Sequence, residues 1–306
     1  MRIAVTGATG RVGRHVVALL ADDGHDVVRL SRTHGVNVVT GVGLAQALAR
    51  VECVIDAASG SAAGQARPTP DAALEFFAAA ADNLHRIGHA VEVQRMVEVS
   101  VIGVDQFTSG HGAAKYAHEQ RMLNGPVPVR VLRAAQFHEF VPQLIDWGID
   151  GGIARVPTMR IHSVAARSVA RGLVDLATDP EWAARPTRAE PPFPEIAGPD
   201  EGDPVEMATR FVTHHRLPLR IHAVTPDDPI YTDGRLLAGP HAARTGPTFE
   251  KWLNSATAAP PVRAVDTTGC SSAADSSGRH DTSPANRCPQ RPVTCAQRNS
   301  RVVLDR

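Results

Sequence analysis

The chain has 306 residues, 43% hydrophobic and 21% charged, a balance that supports a packed core and excludes a disordered or fibrous protein. Thirty-two basic residues cancel thirty-two acidic ones, so no net field draws in nucleic acid or an anionic membrane surface. No apolar run approaches the ~20 residues of a spanning helix, and the apolar stretch after Arg2 stops at Thr6-Gly7, too soon for a signal peptide, so a cytoplasmic location is expected.

Strand-like and helix-like segments alternate from the start. Residues 2–5 read as a strand, and Val12, Val16, Leu19 and Leu20 recur at helical spacing until Gly24. Strands are predicted over 26–30, 36–40 and 51–57, with a short helix over 44–49. Residues 59–70, rich in Gly, Ser and Pro, read as a loop. Thr69-Pro70-Asp71 is a helix start, because proline is suited to the first helical position and an acid to the positive end of the dipole; Leu74, Phe77, Ala81 and Leu84 continue one apolar face. A fifth strand is predicted over 96–101, a helix over 113–123, a sixth strand over 127–132 and a weaker helix over 164–177. Asp203-Pro204-Val205-Glu206 resembles a capping box, and residues 249–253 a last amphipathic turn.

This order predicts an α/β protein, a doubly wound parallel sheet of the Rossmann kind covered by helices on both faces. Residues 1–254 are expected to form the nucleotide-binding domain, with a small C-terminal substrate-side lobe over about 134–163 and 188–254. Beyond about residue 255 apolar periodicity vanishes and Ser, Thr, Asp, Arg and Pro dominate, so residues 255–306 are expected to be disordered. Cys53, Cys270, Cys288 and Cys295 have neither disulfide-framework nor close metal-ligand spacing.

The strongest signal is Val5-Thr6-Gly7-Ala8-Thr9-Gly10-Arg11-Val12-Gly13, a strand running through three glycines into a helix. Gly7 permits the turn, Gly10 lets the backbone approach a pyrophosphate, and Gly13 lets the helix lie close on the strand. Free amides at the helix start face the anion, which makes Gly7, Thr9, Gly10, Arg11, Val12 and Gly13 the candidate pyrophosphate ligands. About 20 residues on, where an acid would select NAD(H), the sequence reads Arg29-Leu30-Ser31-Arg32. Ser31 and Arg32 suit a 2′-phosphate, since a guanidinium donates two parallel charge-assisted bonds, so NADP(H) is favoured over NAD(H).

The TGATGRVG opening, Asp56-Ala57-Ala58-Ser59, the VEVSVIGVD strand and the AAQFHEF segment resemble the atypical and extended short-chain dehydrogenase/reductases, particularly the NmrA-like NAD(P)H-binding proteins. The resemblance covers roughly residues 1–254 and implies a substrate lying between the nucleotide domain and the C-terminal part. It implies backbone contacts from Ala58 and Ser59 to the middle of the cofactor. It also implies a catalytic set of Ser after the fifth strand and Tyr-x-x-x-Lys on the next helix. Ser100 matches the first, as the group polarising substrate, and Lys115 the last, as a ribose ligand. His111 stands where the Tyr belongs, and Tyr116 is one residue beyond the lysine, rotated by about 100°.

His111 as the proton donor is one reading of this gap, imidazole titrating near neutrality. The other is a protein without an acid/base. The functions that follow are an NADP(H)-dependent oxidoreductase of a small organic substrate, a non-catalytic redox sensor with a protein partner, or a nucleotide-sugar epimerase or dehydratase, the last weakened by the missing Tyr. Gln136, Phe137, His138 and Glu139 follow the sixth strand at its ligand-binding end. The i, i+4 pair His85 and His89 lacks a third ligand, and His214-His215 reads as a helix end, so no metal site is expected.

Overall fold

A computed structural model describes residues 1–59, 68–182 and 192–255. In chain order the strands are β1 (Arg2–Thr6), β2 (Asp26–Leu30), β3 (Cys53–Asp56), β4 (Arg95–Val101), β5 (Val129–Ala134), β6 (Ile149–Asp150), β7 (Ile153–Pro157), β8 (Glu195–Ala197), β9 (Arg220–Val224) and β10 (Ala243–Arg244). The helices are α1 (Gly13–Asp22), α2 (Leu44–Leu48), α3 (Pro70–Ala90), α4 (Gly110–Leu123), α5 (Phe140–Gly148), α6 (Ala166–Ala177), α7 (Pro204–His214) and α8 (Phe249–Leu253). Seven strands make an all-parallel sheet in the order β10-β8-β5-β4-β3-β1-β2, a Rossmann-like arrangement flanked by helices.

Both faces of the sheet are covered, so its strands read as continuous apolar runs, and alternate residues serve opposite cores. Ile3, Val5, Ile55 and Val97 meet Val16 and Leu20 of α1 and Val169 and Leu173 of α6. Ala4, Val54 and Met96 meet Leu44 of α2, Leu84 and Ile87 of α3 and Met122 of α4. A third core, with Val141, Ile145, Val156, Phe211 and Trp252, joins α5, α7 and α8 to the small sheet β6-β7-β9.

The helix starts follow their capping residues. Thr69 Oγ1 accepts from the Ala72 amide at 3.2 Å, and Asp203 Oδ1 from the Val205 amide at 2.7 Å.

One predicted strand is absent. Residues 36–40 turn back on themselves, because Asn37 Oδ1 accepts from the amides of Val39 and Thr40 and its carbonyl from Gly41, while Gly35, Gly41 and Gly43 adopt positive φ. The sheet therefore ends at β2. The helix predicted from residue 113 starts at Gly110, which puts His111 in its first turn and not in a loop. The expected disordered segment 255–306 lies, past Ser255, outside the described residues, as do most of the 59–70 loop and three of the cysteines. No helix among the described residues is long and apolar enough to cross a membrane.

Candidate functional site

The order of strands reverses direction between β3 and β1, and the crevice outside their carboxyl ends is where open α/β sheets bind ligands. The glycine turn occupies it. Gly7 has φ +57°, and a Cβ there would lie 2.6 Å from the Ala57 carbonyl oxygen; a Cβ on Gly13 would lie 2.2 Å from the Gly7 carbonyl oxygen. The turn closes through the Gly10 amide on the Gly7 carbonyl at 2.7 Å. The amides of Arg11, Val12 and Gly13 have no backbone acceptor among the described residues, so they present the open donors that a diphosphate requires. Thr9 and Gly10 are exposed and Val12 is buried beneath them. Arg11 is half-buried, and burial lowers its pKa, with Glu139 opposing. These features fit a dinucleotide.

At the end of β2, Arg32 begins a short 3-10 turn, exposed and in no ion pair among the described residues. The Ser31 hydroxyl lies 2.8 Å from Thr33 Oγ1 and 2.6 Å from His34 Nδ1. On the other wall, the Ala57 amide donates to Thr6 Oγ1 at 3.0 Å and the Ala58 amide to Asp56 Oδ1 at 3.2 Å. The Ala58 N–H is thus committed to shaping the wall. Ser59 is exposed beside it.

A feature not anticipated from the sequence lies beneath this wall. Thr6, Asp56 and Glu98 occupy one row across β1, β3 and β4, on the face that α3 and α4 cover. Thr6 donates its hydroxyl to Asp56. Lys115 and His118, one turn apart on α4, reach down to the row: Lys115 Nζ donates to Glu98 Oε1 at 2.7 Å, and His118 Nδ1 lies 2.8 Å from the same oxygen. His118 Nε2 is 3.2 Å from Asp56 Oδ2, an ionic contact whose angles are not those of a hydrogen bond. Glu98 is fully buried, and the others are at most 7% exposed.

Burial would push the Asp56 carboxyl up, yet His118, Lys115 and Thr6 outweigh it and hold it at about 2. Glu98 is likewise lowered: burial opposes, and Lys115 and His118 prevail. Burial and Lys115 push the His118 ring down, but the two carboxylates raise it above the ordinary imidazole value. The signal for this row was an acid inside each of two apolar strands, CVID and MVEVSV.

The expected catalytic residues are therefore placed as follows. Lys115 is turned onto Glu98 and His118. Ser100, two residues along β4 from Glu98, is 2% exposed and its Oγ has no partner among the described residues. The His111 ring lies against Phe77, centroids 5.6 Å apart and planes tilted by 60°, and Phe77 also lies against His118 at 4.9 Å and under Lys115 Nζ at 5.2 Å.

After β5, Glu139 caps two other elements, accepting from the Ala166 amide at 3.0 Å and from Trp252 Nε1 at 3.1 Å. His138 is buried with Nε2 3.1 Å from the Pro247 carbonyl, which makes Nδ1 the acceptor for the Ser163 hydroxyl at 3.0 Å. His138 and Ser163 border a cavity of about 170 Å³ whose rim includes Glu206, Arg210 and Glu250. Burial lowers His138 from 6.5 to about 4. The unfolded chain then takes the proton first, so the neutral ring's contribution is whole above pH 6.5 and is lost as pH falls through about 4. The expected loss is about 3 kcal/mol, read from urea midpoints across that window; His138→Gln should remove most of it, and an unchanged pH slope in that variant would refute the assignment. His85 is buried and its Nε2 lies 2.9 Å from the Met122 carbonyl oxygen.

Sheet, crevice and glycine turn together give a Rossmann-type fold, that of the short-chain dehydrogenase/reductases. Residues 3–120 match the NAD-dependent epimerase/dehydratase family. No curated protein matches significantly. Similar solved structures include a short-chain dehydrogenase/reductase superfamily protein from Agrobacterium tumefaciens with bound NAD, at 18% identity and TM-score 0.56, covering 83% of this chain and 95% of that one. The NAD-dependent NDP-hexosamine 5,6-dehydratase TunA, of tunicamycin biosynthesis, aligns at 16% identity and TM-score 0.58 over 82% of this chain and 95% of its own. The UDP-N-acetylglucosamine 4-epimerase of Bacillus cereus aligns at 17% and 0.56 over 83% and 94%. Identities of this size show the fold.

Proposed function

We propose that the chain is an oxidoreductase that moves a hydride between a nicotinamide dinucleotide, NADP(H) by preference, and a small organic substrate. The observation that carries this reading is the glycine turn, where backbone lies on backbone and the amides of Arg11, Val12 and Gly13 are left open in the crevice between β1 and β3. Arg11 and the helix start would hold the diphosphate, Ser31 and Arg32 the 2′-phosphate, and the wall at Ala58 and Ser59 the middle of the cofactor. When bound, the nucleotide supplies or accepts the hydride. His138 and Ser163 offer polar groups to the substrate on the lobe side.

The choice of NADP(H) rests on Arg32, an exposed guanidinium without a carboxylate partner among the described residues. Arg32→Ala should weaken NADPH binding by about tenfold or more and leave NADH binding within about twofold, read by fluorescence titration. Equal losses for the two would remove the preference.

Epimerisation or dehydration of a nucleotide sugar is a second reading, favoured by the family match over residues 3–120 and by the sugar-nucleotide enzymes among the similar structures. Those reactions also need a hydride acceptor, and the absence of the Tyr from its place at His111 weighs against them. A protein that binds the nucleotide as a sensor of redox state is the third reading, and it rests on the NmrA-like resemblance of the sequence alone. Carbonyl, quinone and enone reduction with NADPH, set beside turnover of UDP- and dTDP-sugars without added cofactor, separates the three.

A further inference from the structure

Glu98 Oε1, Lys115 Nζ and His118 Nδ1 form a closed triangle with edges of 2.7, 2.8 and 2.9 Å. Its three corners cannot all be satisfied by one arrangement of protons. If Nδ1 bears a proton it donates to Glu98, and Lys115 then faces a second cation; if Nδ1 is bare it accepts from Lys115, and then meets the carboxylate lone pairs without a hydrogen between. The two arrangements differ by one proton on His118, and the short edge from Nδ1 to Nζ is the path along which a proton would pass. The charges close in the first: Asp56 and Glu98 balance Lys115 and an imidazolium.

The groups that face the ring come from every element packed on it. Asp56, tied to Thr6, lies on the β3 side and Glu98 on the β4 side. From α3 come the Phe77 ring and, at longer range, His85, and from α4 Lys115 itself. Of the four charged members Lys115 is the most exposed, at 7% against 2% for Asp56, 1% for His118 and none for Glu98.

We propose that this triangle is a proton store standing in for the absent tyrosine hydroxyl, with Lys115 giving a proton to a substrate oxygen and His118 returning one to Lys115. The proposal rests on the nicotinamide-dependent reading above. A reduced nicotinamide, when bound, would supply the hydride for the new C–H bond, and the C=O π pair would then rest on the substrate oxygen. That oxygen takes a proton from Lys115 Nζ, leaving a neutral amine. The Nδ1 proton of His118 then passes to the amine, and one proton from solvent, entering at Lys115 and shared along the Nδ1–Nζ edge, recharges the pair before the next turnover. In this scheme Lys115 is the catalytic residue and His118 acts through it.

The test uses the full chain. With ¹⁵N-labelled histidine, both His118 ring nitrogens should be protonated at neutral pH, with a midpoint above the ordinary imidazole range. Lys115→Met should move that midpoint higher still, because a neighbouring cation is gone. A ring neutral at neutral pH, or a midpoint indifferent to Lys115→Met, overturns the store. In carbonyl reduction with NADPH, His118→Gln should lower kcat on the order of tenfold above neutrality while KM stays within about twofold, and Lys115→Met should cost about a hundredfold. A His118→Gln enzyme with an unaltered pH–rate profile also overturns it. NADPH binding without reduction of any carbonyl overturns the store and leaves the cofactor reading standing, whereas absence of NADPH binding removes the reading itself.

Discussion

Glu98→Ala is expected to lower folding stability by about 3–5 kcal/mol, the range found when one partner of a buried ion pair is removed and the other is left uncompensated. Glu98 is completely buried and its Oε1 is the meeting point of Lys115 and His118, so its loss strands two groups that carry or share positive charge. Glu98→Gln keeps the volume and one acceptor oxygen and should cost less. The pH dependence distinguishes this from a simple cavity. Asp56 is held at about 2 against 3.8 for the free group, so its stabilisation is present above the latter and is lost as pH falls towards the former. His118 is raised above 6.5, so its share is complete below that value and disappears as pH climbs through the folded-state value. Wild type should therefore show a stability dome with an alkaline limb, and Glu98→Ala should flatten that limb. Denaturant midpoints at acid, neutral and alkaline pH measure it; a variant within about 1 kcal/mol of wild type at neutral pH would mean the cluster is far better solvated than its burial indicates.

What could be read from the sequence depended on whether the information was local. The turn from Thr6 to Gly13 and the start of α3 at Thr69-Pro70-Asp71 were legible because each residue type answers a backbone demand within a few positions. Residues 36–40 misled for the same reason in reverse: Val36, Val38, Val39 and Thr40 have strand propensity, but the Asn37 side chain and the flanking glycines close a turn first. The polar row was hidden because it is a fact of register. Asp56 and Glu98 could each be seen as an acid in an apolar strand, yet only the pairing Thr6↔Asp56↔Glu98 places them side by side. Lys115 stands at a recognisable motif position, whereas nothing in the sequence marks His118, one turn along the same face. The pairing of β7 with β9 was equally out of reach, since it joins segments separated by α6, β8 and α7.

Gly13→Ala is expected to damage both stability and cofactor binding more than its single methyl suggests. The new Cβ would lie 2.2 Å from the Gly7 carbonyl oxygen, and that oxygen cannot retreat. Gly7 is itself held at φ +57° with its own open side 2.6 Å from the Ala57 carbonyl, and its oxygen is bonded to the Gly10 amide. The clash is therefore backbone against side chain with no flexible neighbour to yield, and α1 must lift from β1. Lifting it uncovers Val16, Leu19 and Leu20, which are almost entirely buried, so a cost of about 3 kcal/mol or more is expected. It also moves the amides of Arg11, Val12 and Gly13 away from the crevice, and NADPH affinity should fall by about a hundredfold, which corresponds to the loss of about 3 kcal/mol of binding. Gly24→Ala serves as the control, because a Cβ there meets nothing within 4 Å and the strain is confined to a positive φ of 79°. That variant should lose about 1 kcal/mol and bind normally. Thermal melts and NADPH fluorescence titrations of the two variants give the comparison, and a Gly13→Ala protein that melts and binds like Gly24→Ala would show that the helix does not depend on close approach to the turn.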